Sequence, residues 1–170
     1  MLDQIAIRDA TAADRDQLAA VRYPDRPAIH RDRIAAADGE TMRYFVAELR
    51  GTIVGFGLLV LQQPAEWSDS DPNPRFPIMI DLFIVERQRG RGIGTALITH
   101  MEQIVRRNDG DHVYLDVEPI ANPRAAALYT RLGYQALHTE PYRNVWRFTD
   151  SDGVEHEGEE WIIKMAKRLI

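Results

Sequence analysis

The chain has 170 residues, with 21 Lys plus Arg against 26 Asp plus Glu, a formal net charge of −5, 45% apolar residues and no cysteine. That length suits one domain, expected to span 1–170, and it leaves no disulfide framework, thiolate metal site or cysteine nucleophile. The acidic balance gives no global attraction to nucleic acid, no apolar run nears the roughly 20 residues of a membrane span, and the first residues lack a secretory pattern, so a cytoplasmic protein with neither nucleic acid nor membrane as partner is expected.

Residues 5–8 alternate apolar and polar, as a half-buried strand does. Thr11 with Asp14 resembles a capping box with Asp in place of Glu. The helix it opens runs to about Arg22, with Leu18 and Val21 inward, and Tyr23-Pro24 ends it. Pro27 opens a second helix reaching Ala37. Residues 42–49 and 52–61 read as two strands joined across Arg50-Gly51. Gly55 and Gly57 lie on one face of the second, marking a bulge, a close approach by another group, or mere tolerance. Residues 62–77 form a polar loop with four prolines, and Trp67 in it either covers a ligand or packs on the surface. Asp69, Asp71 and Asn73 have calcium-loop spacing, but Pro74 and Ile80 stand where Gly and Glu are needed, so calcium is rejected.

Residues 78–85 read as a strand buried on both faces, interrupted by Asp81. Glycines follow, then a long helix with Ile93, Leu97, Ile98, Met101, Ile104 and Val105 at helical spacing, stopped by Asn108-Asp109-Gly110. Residues 113–117 are another buried strand. Asn122-Pro123 starts a helix that Gly133 ends. Residues 143–149 and 160–166 form a last hairpin around Asp150-Ser151-Asp152-Gly153. The order predicts an α/β domain of the α+β type, a mixed sheet of about seven strands with four helices. The five histidines show no ligand spacing, so no metal is expected, and His100 reads as solvated. Glu155, Glu157, Glu159 and Glu160 read as a solvated turn or as an attractor for a cationic amine.

The informative segment is 87–95, Arg-Gln-Arg-Gly-Arg-Gly-Ile-Gly-Thr. It joins a buried strand to an amphipathic helix, where backbone N–H groups lack internal partners and the helix dipole favours an anion. Arg87, Arg89 and Arg91 add positive charge. A P-loop needs a Lys that is missing, and a dinucleotide fingerprint fails at Thr95 or Leu97.

The spacing that fits is Arg-x-x-Gly-x-Gly at Arg89, Gly92 and Gly94. With the strand 81–85 before it, and with Asn122, Ala125, Leu128, Tyr129, Gly133 and Tyr134 matching Asn-x-x-Ala-x-x-Leu-Tyr-x-x-x-Gly-Tyr, the chain resembles the GNAT superfamily of acetyl-CoA-dependent N-acetyltransferases. The resemblance implies a mostly antiparallel sheet whose strands 78–85 and 113–117 splay apart, with a bulge near Leu82 or Phe83. It implies acetyl-CoA as cosubstrate, its pyrophosphate on backbone groups of Arg89, Gly90, Arg91, Gly92, Gly94 and Thr95, and its pantetheine arm along Phe83, Ile84 and Val85. Asn122 reaches the same molecule, caps its own helix, or does both. Tyr129 is the candidate acid for the leaving thiolate, with core packing as its alternative. Asp81 is the candidate base, with a salt bridge as its alternative and Asp116, Glu118 or ordered water as rivals. The implied reaction is direct acetyl transfer to a primary amine on a small molecule or peptide; a non-catalytic acyl-CoA sensor is the other reading, and a homodimer is left open.

Overall fold

The structure is a computed structural model and describes residues 4–64, 71 and 74–170. Trp67, Asp69 and Asn73 lie outside the described residues. The chain runs β1 (Ile5–Asp9), a 3-10 turn, α1 (Arg15–Val21), α2 (Pro27–Ala36), β2 (Met42–Leu49), β3 (Thr52–Val60), β4 (Ile78–Ile84), a second 3-10 turn, α3 (Ile93–Arg107), β5 (His112–Val117), α4 (Pro123–Arg131), β6 (Gln135–Ala136), β7 (Tyr142–Thr149) and β8 (Glu155–Arg168). The expected mixed sheet with four helices is present, with eight strands in the order β1-β2-β3-β4-β5-β8-β6 and β7 paired to β8.

Every described pairing is antiparallel except β4 with β5. That parallel pair is short: Ile78 faces Tyr114, Met79 faces Leu115, and the register stops there. Past Met79 the two central strands part, as the resemblance implies. β5 stays zipped to β8 along its whole length, from His112–Arg168 to Val117–Ile163.

Helices cover both faces. α1 and α2 cover the face whose core holds Leu18, Tyr44, Phe56, Leu58 and Ile78. α3 and α4 cover the other, with Phe45, Leu59, Leu97, Met101, Leu115 and Tyr129. α3 carries its apolar residues on one stripe, and Ile93, Leu97, Ile98, Met101, Ile104 and Val105 are all buried. Each such burial contributes about 1.5–3 kcal/mol. Among the described residues no helix is long and apolar enough to cross a membrane.

Several expectations change. The Thr11–Asp14 box forms, with the Asp14 carboxylate accepting from the Thr11 N–H at 2.7 Å, but it opens a 3-10 turn ahead of α1. The last strand begins at Glu155, not 160, because the acidic residues alternate along it opposite β7. Glu155, Glu157 and Glu159 are exposed, with Arg143–Glu159 and Arg147–Glu157 ion pairs across the strands, whereas Glu160 turns inward. His100 is not solvated but half-buried, its ring edge-on to Phe45 at 5.1 Å, and burial lowers its pKa.

Candidate active site

The glycine turn is built to expose backbone. Gly90 and Gly92 have φ of 76° and 80°, the left-handed region that a side chain rarely adopts. Gly92 is the N-cap of α3, and the first helical bond runs from the Ala96 N–H to its carbonyl at 2.9 Å. No N–H from Gly90 through Thr95 donates to another described residue. A row of unpaired donors at a helix start favours an anion. The second motif lies against it. Leu128 Cδ2 sits 3.7 Å from where a Gly94 Cβ would be, and Arg124 Nη2 sits 3.4 Å from the same point on Gly90. Arg124 is a cation at the turn that sequence reasoning missed; only the packing of α4 brings it there.

Arg87, Arg89 and Arg91 are exposed beside the turn. Arg89 folds back, its Nε donating to the Ile84 carbonyl at 2.8 Å and its guanidinium lying 5.5 Å from the Phe83 ring. The next N–H, that of Val85, donates to Val54 of β3 at 2.9 Å. Backbone groups alternate sides along a strand, so Ile84 presents its N–H and carbonyl to the gap that β5 vacates.

The expected bulge is present, at Asp81–Leu82. Phe56 faces Phe83 and Leu58 faces Ile80, so Gly57 is opposed by two residues of β4. Asp81 has φ of 53°. The paired glycines of β3 are explained by close approach. A Cβ at Gly55 would fall 2.6 Å from the Phe83 carbonyl, and one at Gly57 would fall 2.7 Å from Leu82 Cδ2.

Asp81 turns to the α1/α2 face. It accepts from Arg22 at 3.1 Å, Arg33 at 2.8 Å and the Tyr23 hydroxyl at 2.9 Å. Burial and the adjacent Asp81 charge push the Tyr23 hydroxyl up to about 12. The salt bridge weighed as an alternative role for Asp81 is therefore formed, twice over.

Tyr129 is buried in the α3/α4 core, edge-on to Tyr134 at 6.1 Å. Its hydroxyl makes no hydrogen bond to a described residue, and burial pushes it up to about 12. Asn122 is the N-cap of α4, but its side chain makes no capping bond.

At the mouth of the gap, Lys164 of β8 is fully buried and donates to Asp116 at 2.8 Å, with Asp71 at 3.1 Å. Asp71 also accepts from the Tyr142 hydroxyl. Burial raises the Asp116 carboxyl, against the pull of Lys164. Glu118 has no side-chain partner among the described residues. The described residues contain no group of His, Asp and Glu that could hold a metal. A recess of about 680 Å³ is lined by Gln17, Val21, Thr52, Val85 and Arg87.

A central parallel pair that opens after two residues, a bulge at the opening and a bare helix start beside it define a ligand slot through the sheet. The family model for the acetyltransferase (GNAT) family matches residues 6–134, and the chain belongs to that family. Over 101 residues it is 30% identical to an N-alpha-acetyltransferase of Sulfurisphaera tokodaii, covering 55% of this chain and 57% of that protein, so the match spans little more than half of either. The fold is shared with the ribosomal-protein-alanine N-acetyltransferase of Brucella melitensis, at 19% identity, 96% and 99% coverage of the two chains and a TM-score of 0.66. It is shared too with the PaiA N-acetyltransferase of Thermoplasma acidophilum, solved in complex with coenzyme A, at 15% identity, 98% and 99% coverage and a TM-score of 0.69.

Proposed function

We propose that this chain is an N-acetyltransferase that moves acetyl from acetyl-CoA to a primary amine by direct attack, acting as one domain over 1–170 in the cytoplasm without a metal. The observation that carries the reading is the row of unpaired N–H groups from Gly90 to Thr95, set beside the opening between β4 and β5. That donor set fits a diphosphate. Backbone of Arg89, Gly90, Arg91, Gly92, Gly94 and Thr95 would hold it, with Arg124 alongside. Ile84, between Phe83 and Val85, would hold the pantetheine arm, and Asn122 would reach the same arm from α4.

When bound, acetyl-CoA supplies the activated acyl carbon as a thioester. The Ile84 N–H points into the gap, where it would polarise the acyl oxygen. The Tyr129 hydroxyl, protonated at neutral pH as any phenol is and free of a described hydrogen-bond partner, would hand its proton to the departing sulfur. Asp81 already accepts from three donors, so we assign it the anchoring of the α1–α2 turn at the mouth rather than removal of the amine proton. That proton leaves toward the carboxylates of the mouth, Asp116 and Glu118, or to water between them.

The test is thermal stabilisation by acetyl-CoA together with release of free thiol on adding a broad panel of amines. Stabilisation with amine-dependent thiol release is expected. Stabilisation without release makes the chain an acyl-CoA sensor, and no stabilisation removes both readings.

A further inference from the structure

The carboxylates at the mouth outnumber the cations there, and Glu160 is one of those left without a cation. Asp81 is matched by Arg22 and Arg33, and Asp116 by Lys164. Glu160 has no cation among the described residues. It is half-buried, and its one described partner is a neutral amide, Asn144 Nδ2, at 3.3 Å. Burial raises its carboxyl, and Glu118, Asp116 and Asp81 lie close enough to push it the same way.

Asn144 supplies a second, separate signal. It is only 8% exposed, its amide is turned to Glu160, and its Oδ1 has no hydrogen-bond partner. A buried carbonyl oxygen left unpaired is costly and calls for a donor. A carboxylate without a cation and a carbonyl without a donor, side by side, are the two halves of an ammonium site: –NH3⁺ brings three donors and one charge.

The walls fit an alkyl chain. Asn144 faces Glu160 across the hairpin, and the next pair on that face is Trp146 with Gly158, where the indole fills the place a Cβ would take. Phe148 stacks beyond Trp146 at 5.9 Å, and His156 stacks on Phe148 at 4.8 Å. The hairpin tip is fixed across the face, with Asp32 of α2 accepting from the Ser151 N–H at 2.9 Å and Arg31 donating to Asp152 at 2.8 Å.

We propose that the Glu160–Asn144 pair is the acceptor-recognition site, and that it selects a primary alkylammonium whose chain lies along Trp146. The inference rests on the transferase reading and names the acceptor class for it. Glu160 is a positioning residue here: it binds the cationic nitrogen and takes no part in the thioester chemistry.

The test is a ¹H–¹⁵N NMR titration of the Asn144 carboxamide, in the presence of coenzyme A, with n-butylammonium and with neutral n-butanol. Butylammonium is expected to move the Asn144 resonances saturably and butanol is not. Glu160→Gln should weaken the butylammonium affinity at least tenfold while the thermal shift given by coenzyme A stays as in the wild type. Asn144 resonances that ignore butylammonium, or a Glu160→Gln variant that binds it as the wild type does, overturn the proposal. Should Glu160→Gln not fold, the wild-type titration of Asn144 decides alone. A wild type that shows no coenzyme A shift overturns the transferase reading instead, a different readout from the Asn144 signals.

Discussion

The two ends of the slot are made of different material. The α3 end is backbone: glycines in the left-handed region, a helix start and a short segment of nine residues. The opposite end is side chains drawn from the α1–α2 turn, α2, β4, β5, β7 and β8, joined by ion pairs such as Arg33–Asp81 and Lys164–Asp116. Backbone offers one pattern of donors whatever the surrounding residues are, which suits a ligand part that never changes. Side chains can be exchanged one at a time, which suits a partner that differs from one relative to the next.

The contrast can be broken first at the backbone end. Gly92→Glu forces a side chain into φ of 80° and sets a carboxylate where the turn favours an anion. It should abolish the stabilisation by acetyl-CoA, which in the wild type amounts to about 2.7 kcal/mol at a hundred times the dissociation constant. Next is Tyr129→Phe, which removes a hydroxyl that bonds to no described residue. Turnover should fall about 100-fold, at the low end of acid–base contributions, with the acetyl-CoA shift intact. An unchanged rate would return Tyr129 to a packing role.

At the side-chain end, Lys164→Met strips Asp116 of its buried partner. It should cost about 3 kcal/mol in urea unfolding, because removing one member of a buried pair leaves the other charge uncompensated. The smallest effect is expected at the hairpin tip. His156 and the backbone N–H groups of Asp152 and Val154 hold the Asp150 carboxyl below its usual range. A depressed carboxylate stabilises the fold above its unfolded pKa, and that contribution fades as pH falls from about 4 through the lower folded value. Amide exchange at 151–154, corrected for intrinsic rate, should accelerate below about pH 4, and Asp150→Asn should flatten that dependence.

What was legible in the sequence follows the same division. The turn and α3 were readable because their signals are local: glycines at fixed offsets, and apolar residues at 3.6 spacing from Ile93 to Val105. Asp81 stood out as a charge in an apolar strand, but its partners lie in other elements and no spacing announces them. Nothing local in residues 160–166 sets Lys164 apart, yet it is fully buried, held by carboxylates from other segments. Glu160 was hidden in an acidic run whose other members are solvated, and only the register with β7 separates it from them. His100 misled because a lone polar residue on a helix says nothing of the Phe45 ring that covers it.

The parting of β4 from β5 leaves the rim of a sheet inside a folded molecule, and a bare rim invites any extended chain to zip onto it. Two features already described keep that rim from acting as a template. The extra residue at Asp81–Leu82 throws the ladder out of step, and the Arg89 guanidinium occupies the Ile84 carbonyl. Both features work against the strand-to-strand pairing that an uninterrupted edge at the opening would invite.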